Sequence, residues 1–347
     1  MIFELIIVLS TVLLFLFNFF CTKYSFLLDQ KNQSHKSFVS RDRVPLTGGI
    51  ILIINLIIFG SNFYFSFFFL LIFILGIFSD LNIIIKPSIK FIIQLIITLL
   101  FVYISDLYIV VTKIFFIDYF INNKLFSLIF TVFCLLILIN GTNFIDGINT
   151  LAAGYYLLIL SVIIYLSSKN QLNLDFNVFF ILLFSLLVIY FFNLFSKTYL
   201  GDSGSFLLSF VVGSYLINFC NNNLYSLKPV SPIFVLLLLW YPAFENFFSI
   251  LRRIINATYL TKADNYHLHQ LIFIFIKFRF KKNISINYIN SVSGNLINFF
   301  NLLIFILASQ FYYHTKYLSY LVIINILVYL FFYYILKKQI NKNIYSK

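Results

Sequence analysis

Four short polar segments interrupt an otherwise apolar chain, and each contains an aspartate. An ionised group at bilayer depth costs roughly 2.5 to 3.5 kcal/mol even on lenient insertion scales, so an aspartate at the edge of a membrane helix is a candidate site residue. Carboxylates beside Lys and Arg at a membrane surface suit Mg²⁺, which takes one or two protein oxygens while substrate phosphates complete its coordination shell. The four are Asp80 in FSDLN, Asp146 in NGTNFIDGIN, Asp202 in YLGDSGS and Asp264 in KADNYHLHQ.

The same segments offer further groups that suit a phosphorylated substrate. Asn140 and Asn143 carry amides that can bind a sugar or a base, and neighbouring glycines let backbone N–H groups approach a phosphate closely. His267 and His269 can donate to a phosphate oxygen. As a zinc pair they would need i, i+4 spacing or a third ligand nearby, and the sequence offers neither.

Two other interpretations of these segments compete with a site. A single Asp or Asn at a helix end is often an N-cap, but four aspartates on one side of a membrane are hard to explain by capping alone. The GDSGS stretch resembles the surroundings of a serine-protease nucleophile, which would make Ser203 reactive. No buried Asp–His pair can be assigned to orient a base, so this interpretation is rejected.

The elements that position these residues are membrane helices. Of the 347 residues, 62% are hydrophobic and 10% are charged, which excludes a soluble globular protein. Apolar runs long enough to cross a hydrocarbon core about 30 Å thick recur along the chain. The sequence therefore predicts an all-α, polytopic membrane protein of about eleven spans, at 1–21, 48–60, 63–78, 89–105, 126–140, 152–166, 177–195, 204–219, 231–249, 295–313 and 317–336.

The distribution of basic residues predicts the orientation. With eleven spans, nineteen of the 24 Lys and Arg fall on one side, which the positive-inside rule assigns to the cytoplasm. The N-terminus is then outside, the C-terminus is cytoplasmic, and all four aspartates lie on the cytoplasmic side. The net charge of +13 is explained by anionic lipid rather than by nucleic acid. The prediction is one transmembrane catalytic domain over 1–347, with cytoplasmic loops at about 22–47, 79–88, 141–151, 196–203 and 250–294.

Five ordered segments resemble the polyprenyl-phosphate N-acetylhexosamine-1-phosphate transferases, whose superfamily includes phospho-MurNAc-pentapeptide translocase. They extend from about Ser34 to Ile272 and are SHKSFVSRDRVPLTGG, GIFSDLNIIIKPSIKFIIQ, NGTNFIDGINTLAAG, GDSGS and RRIINATYLTKADNYHLHQ. The resemblance implies transfer of a sugar-1-phosphate from a UDP-N-acetylhexosamine to undecaprenyl phosphate, with release of UMP, at the cytoplasmic face of a bacterial inner membrane. It also implies Mg²⁺, with Mn²⁺ as an alternative.

The resemblance implies roles for individual residues. Asp202 is the best candidate for the metal ligand, with Asp146 beside the metal, and Lys90 is placed to meet the lipid phosphate. The implied catalytic residues are Asp80, Asp146, Asp202, His267 and His269. The implied substrate-binding residues are Lys36, Arg43, Lys90, Asn140, Asn143, Asn149, Arg252, Arg253 and Asp264.

Three departures from the family pattern bear on the mechanism. Ser79 stands where most members have the first of two aspartates, which favours direct attack by the lipid phosphate. Asn149-Thr150 replaces an Asp-Gly pair, and Gln270 replaces a third histidine. Together they favour an enzyme that initiates O-antigen or another surface glycan. The alternatives are the MurNAc-pentapeptide reaction and a lipid-binding or transport protein without turnover. The oligomeric state is open, with a homodimer as one arrangement.

Overall fold

The structure, a computed structural model, describes residues 2–29, 43–60, 63–84, 86–256, 266–280 and 284–345. Within these ranges the chain consists of helices, connecting turns and one isolated antiparallel bridge between Leu28 and Pro45, which confirms the all-α class. The helices are α1 (Ile2–Tyr24), α2 (Gly48–Phe59), α3 (Phe63–Asp80), α4 (Pro87–Ser105), α5 (Phe115–Ile121), α6 (Lys124–Ile145), α7 (Leu151–Asn170), α8 (Phe176–Leu194), α9 (Gly201–Asn222), α10 (Pro232–Leu238), α11 (Trp240–Ile255), α12 (Leu268–Arg279), α13 (Ile286–Gln310) and α14 (Thr315–Tyr345).

Many of these helices are suited to a bilayer. Eight described helices are long and apolar enough to cross a membrane, and nine are if α10 and α11 form one bent span. α2 and α3 contribute shorter apolar stretches. The chain is therefore an all-helical protein with several candidate membrane spans. The number eleven and the orientation of the termini stay predictions.

The predicted span at 231–249 is broken in the structure. α10 and α11 meet at Leu239 with a bend of 72°. Pro242 explains the break, because in a continuous helix it could not donate to the carbonyl of Leu238 and its ring would clash there. Instead the Tyr155 hydroxyl donates to the Leu238 carbonyl at 2.8 Å. The bend redirects α11, and with it the side chain of Glu245, relative to α10.

Helices extend further into the polar segments than the apolar runs do. α3 continues to Asp80, α6 continues to Ile145, and α9 already begins at Gly201. The predicted loop at 250–294 contains, in its described part, the end of α11, all of α12 and the start of α13. Hydropathy marks where a chain leaves the apolar layer, whereas a helix continues as long as its backbone hydrogen bonds are satisfied. Several candidate residues consequently lie on helix ends rather than in loops.

α9 lies in the centre of the bundle and is buried along nearly its whole length. α2, α3 and α6 pack against it. A Cβ atom added to Gly76 of α3 would lie 2.3 Å from the Cα of Ser203, and one added to Gly49 of α2 would lie 2.5 Å from the backbone nitrogen of Gly204. Such close backbone approach requires small residues at helix contacts. The first turn of α9 is therefore held by backbone-to-backbone packing on two sides.

Candidate active site

Asp80, the last residue of α3, caps the N-terminus of α9. Its Oδ1 accepts the backbone N–H of Asp202 at 2.8 Å, and its Oδ2 accepts the backbone N–H and the hydroxyl of Ser203 at 3.0 and 2.7 Å. First-turn N–H groups lack acceptors within their own helix, so these bonds complete the helix start. Gly201 makes the approach possible, because its φ is +72° and an added Cβ would lie 2.7 Å from Asp80 Oδ2.

Asp202 forms a carboxylate–ammonium pair with Lys90 of α4. Lys90 Nζ lies 3.3 Å from Asp202 Oδ2, and the two side chains are 23% and 18% exposed. The Ser79 hydroxyl lies between them, donating to Asp202 Oδ2 and accepting from Lys90 Nζ. The residue that replaces the usual aspartate therefore bridges the predicted metal ligand and the predicted phosphate-binding lysine. We refer to Ser79, Asp80, Lys90 and Asp202 as the acidic cluster.

The acidic cluster fits a Mg²⁺ ion better than a metal held by protein alone. No group of three or more His, Cys, Asp or Glu side chains that could hold a metal ion is found among the described residues. Mg²⁺ is usually held by one or two carboxylates together with substrate phosphates. Asp202 Oδ1 accepts no hydrogen bond from the part of the chain that the structure describes, and it is the oxygen such an ion would use.

The end of α6 lies directly beside this cluster. Asn143 Oδ1 accepts the hydroxyl of Ser205, one turn after Asp202, at 3.4 Å. One turn earlier on α6, Asn140 Nδ2 donates to the Gln94 side chain at 3.1 Å, and Gln94 lies one turn after Lys90 on α4. The two asparagines thus connect α6 to the helices that carry Asp202 and Lys90. Asp146, half-buried, is the C-terminal cap of the same helix.

A second group of ionisable side chains surrounds Glu245 on α11. Glu245 is wholly buried, and its Oε2 lies 2.8 Å from His267 Nδ1. His269 Nδ1 lies 3.9 Å from Glu245 Oε1. The two imidazole rings stack with their centroids 5.4 Å apart. We refer to Glu245, His267 and His269 as the histidine group.

α6 connects the histidine group to the acidic cluster. The Phe144 ring lies 5.2 Å from the ring of His267, and a Cβ atom added to Gly147 would lie 3.4 Å from His269 Nε2. Asn143, the neighbour of Phe144, contacts α9 as described above. The C-terminal end of α6 therefore contacts both α9 beside the acidic cluster and the ring of His267, which places both groups next to this end of α6. This arrangement brings together described residues from all four predicted polar segments, although Asp264 of the fourth segment lies outside the described residues.

Asn149 has a different environment from the one its predicted role implies. It is buried, its backbone N–H donates to Asn290 Oδ1 at 2.9 Å, and its side chain donates to Ser196 at 2.6 Å. The next residue, Thr150, adopts a left-handed conformation with φ of +64°, and its carbonyl accepts from Asn298 at 2.8 Å. The Asn149-Thr150 pair thus anchors the α6–α7 turn to α8 and α13, and its contacts are structural. Substrate binding by Asn149 stays a prediction.

The predicted basic residues are placed differently from one another. Arg252 is buried, and its guanidinium lies 4.7 Å from the ring centroid of Phe248. The Arg253 guanidinium lies 5.9 Å from the ring centroid of Phe144, which is beside His267. Arg43 is exposed. Lys36 lies outside the described residues.

Glu245 is the site residue that the sequence analysis missed. A lone acidic residue within an apolar span is by default a functional candidate, and this signal was present in the predicted span at 231–249. The contact with His267 could not be anticipated, because it depends on the direction that the bend gives to α11 and on the return of the chain at α12.

The fold and these contacts define a membrane-embedded helical protein with a carboxylate–ammonium site at one end of its bundle. Residues 62–220 match the family model described as glycosyl transferase family 4. The chain is also 30% identical over 148 residues to a protein of Bacillus subtilis (strain 168) named "Probable undecaprenyl-phosphate N-acetylglucosaminyl 1-phosphate transferase". That match covers 42% of this chain and 40% of the length of the relative.

The predicted family resemblance is therefore confirmed, and the region that matches the family model makes up slightly under half of the chain. The matched segment contains the whole acidic cluster and the end of α6. The histidine group lies beyond it.

Proposed function

We propose that this protein transfers a sugar-1-phosphate from a UDP-N-acetylhexosamine to undecaprenyl phosphate. The observation that carries the proposal is the pairing of Asp202 with Lys90 through Ser79, at the capped start of α9 and within the family 4 segment. An ammonium group and an available carboxylate oxygen side by side suit a phosphate that binds together with a cation. The name of the Bacillus subtilis relative supports the same lipid and an N-acetylated sugar.

The reaction forms one phosphorus–oxygen bond and breaks another. An oxygen of the lipid phosphate attacks the β-phosphorus of the nucleotide sugar, the bond from that phosphorus to the α-phosphate oxygen breaks, and UMP leaves with that oxygen. A phosphate monoester with a second pKa of about 6 is mostly dianionic at neutral pH, so the attacking oxygen needs no strong base. Positioning and charge neutralisation are then the main tasks of the protein.

Lys90 is the residue that would receive the lipid phosphate. Its ammonium group is partly exposed and is held by Ser79 and Asp202, so its position is fixed before substrate arrives. Asp80 has a supporting task, since both its oxygens hold the start of α9 and thereby Asp202. Ser79 cannot act as a carboxylate base, which favours direct attack by the lipid phosphate.

Asp202 would hold Mg²⁺ through Oδ1, with Asp146 as a second ligand and Mn²⁺ as a substitute ion. When bound, the ion would neutralise charge on the diphosphate and orient it. Asn143 would contact the nucleotide from the end of α6, and the histidine group would approach the diphosphate from the other side of that helix.

The cellular setting is also a proposal. The excess of Lys and Arg on the side of the aspartates supports a cytoplasmic site on a bacterial inner membrane. Ser79, Asn149 and Gln270 depart from the pattern of most members, which favours initiation of O-antigen or another surface glycan.

The test is UMP release by the purified protein in detergent. Undecaprenyl phosphate and Mg²⁺ are supplied with a panel of UDP-N-acetylhexosamines, and UDP-MurNAc-pentapeptide is run alongside. Release that requires lipid supports the proposal and names the sugar. Absence of release with every donor, from protein shown to be folded, overturns it. Release that persists in EDTA overturns the metal assignment alone.

A matched pair of variants tests the role of Asp202. Asp202→Asn should reduce turnover by about 10²- to 10³-fold, the usual cost of losing one charge-stabilising group at a reacting centre. Asp106→Asn is the control, because Asp106 also pairs with a lysine, Lys124 at 3.0 Å, but at the opposite end of α4. Equal activity of the two variants would contradict the assignment.

A further inference from the structure

Glu245 is contacted by donors on both of its carboxylate oxygens. Oε1 accepts the backbone N–H of Leu268 at 3.1 Å and the Tyr241 hydroxyl at 3.3 Å. Oε2 lies 2.8 Å from His267 Nδ1. The carboxylate is fully buried, and the side chain of His267 is 4% exposed. These contacts determine where Glu245 can place its two oxygens, since the backbone N–H can only donate.

The contact with Oε2 determines which nitrogen of His267 carries a proton. An ionised carboxylate only accepts hydrogen bonds, so Nδ1 must be the protonated nitrogen. In a histidine, the hydrogen bond made by one ring nitrogen decides what the other can offer. Nε2 makes no hydrogen bond within the described part of the chain and is the nitrogen left for a ligand.

His267 lies where that free nitrogen would be useful. Its ring lies against Phe144, within the Asn-x-x-Asn-x-x-Asp segment of α6. We propose that Glu245 is a positioning residue that acts through His267. Glu245 holds the proton on Nδ1 and directs Nε2 to an anionic oxygen of the diphosphate. This inference rests on the proposed transfer reaction for its substrate, but the proton position itself can be measured without it.

The charge of Glu245 has a second consequence. Because the carboxylate supplies a compensating negative charge, the ring can carry protons on both nitrogens when a phosphate oxygen binds at Nε2. The hydrogen bond to substrate is then charge-assisted, and such bonds are roughly twice as strong as neutral ones.

Glu245→Gln should move the proton of the neutral His267 ring from Nδ1 to Nε2 while keeping the shape and volume of the side chain at position 245. The amide oxygen should stay with the Leu268 N–H, because Glu245 Oε1 is the acceptor of that donor among the described residues. The amide NH₂ then faces His267 Nδ1, which has to accept, so the proton of the neutral ring moves to Nε2. We expect ¹⁵N-histidine NMR in detergent to show Nδ1–H in the parent protein and Nε2–H in Glu245→Gln at a pH where the ring is neutral. His267→Ala assigns the signal.

Turnover provides the second measurement. Replacing a charge-assisted hydrogen bond by a neutral one should lower kcat/KM about tenfold. If Glu245 acts through His267, the double variant Glu245→Gln/His267→Ala should be no slower than His267→Ala. Asn246→Ala is the matched control: Asn246 is the next residue on α11, is buried, and donates to the Ile137 carbonyl at 3.0 Å. It should leave the tautomer unchanged and turnover within about twofold of the parent.

Three results would overturn the inference. They are an unchanged His267 tautomer in Glu245→Gln, a loss of kcat/KM below twofold, and a double variant clearly slower than His267→Ala. If the parent protein releases no UMP with any donor, the proposed reaction fails, and the NMR comparison still decides whether Glu245 sets the proton on His267.

Discussion

Replacing Asp80 by asparagine tests whether this side chain supports the start of α9. Asparagine has one acceptor oxygen where Asp80 has two, and the structure shows three donors directed at them. If the amide oxygen stays with the two donors of Ser203, the amide NH₂ faces the backbone N–H of Asp202, and that donor loses its acceptor. An unsatisfied buried donor costs about 1–3 kcal/mol. The two remaining hydrogen bonds lose their charge assistance, which brings the expected destabilisation to about 2–4 kcal/mol.

The free energy of unfolding can be measured by titrating SDS into mixed micelles. The chain has one tryptophan, and Trp240 is buried at the bend between α10 and α11 with its indole N–H bonded to Asn301 at 2.9 Å. Its fluorescence therefore reports loss of packing. Asp106→Asn is the control, since the Asp106 carboxylate is 72% exposed. The SDS fraction at which this variant is half unfolded should not differ measurably from that of the parent.

Two outcomes would refute the reasoning about Asp80. An Asp80→Asn protein that unfolds at the same SDS fraction as the parent would show that the cap does not stabilise α9. A variant that is fully stable but inactive would assign Asp80 to the chemistry, as the family resemblance implies, rather than to the helix start.

Two further predictions concern the neighbours of Asp80. Ser79→Asp restores the usual acidic pair beside Lys90 and should keep the rate of UMP release within about tenfold of the parent, because the Lys90 ammonium can compensate the added charge. Complete loss of UMP release would mean that the site depends on the hydroxyl of Ser79 between Lys90 and Asp202. Gly201→Ala should destabilise the protein by at least about 1–2 kcal/mol, because the φ of Gly201 is +72° and the added Cβ would meet Asp80. An unchanged SDS midpoint of unfolding would contradict this backbone conformation.

The sequence predicts that the aspartates lie at the same end of the bundle. Hydropathy gives the number of spans between them, and the distribution of Lys and Arg agrees with that number. Each apolar run reverses the chain, so polar segments after every second run fall on the same end of the bundle. This is enough to place Asp80 and Asp202 at the same end, and the structure gives three hydrogen bonds from the start of α9 to Asp80. The SDLN and GDSG segments thus contain three of the four residues of the acidic cluster, namely Ser79, Asp80 and Asp202.

The neighbour that each side chain faces within the bundle could not be predicted in the same way. Hydropathy records how far a residue lies from water but not which neighbour it faces, so it could not show that Asn149 contacts Ser196 and Asn290. The substrate-binding role of Asn149 is implied by the family resemblance alone and stays a prediction. Glu245 was missed because its partner His267 lies in a different segment, directly before α12. The bend before Pro242 was readable from the proline itself, since a proline within an apolar span is a known cause of a break.

The α6–α7 turn has a consequence for the order in which the chain is made. Its anchors Asn290 and Asn298 belong to α13, downstream of the family 4 segment that contains Asp146 and Asp202. During synthesis, the left-handed Thr150 lacks its α13 partners Ser291 and Asn298 until the ribosome has passed those residues. A chain shortened to residues 62–220 would contain the acidic cluster but would leave the turn after Asp146 without these bonds. α13 therefore completes the surroundings of the acidic cluster, whose charged residues are all translated well before it.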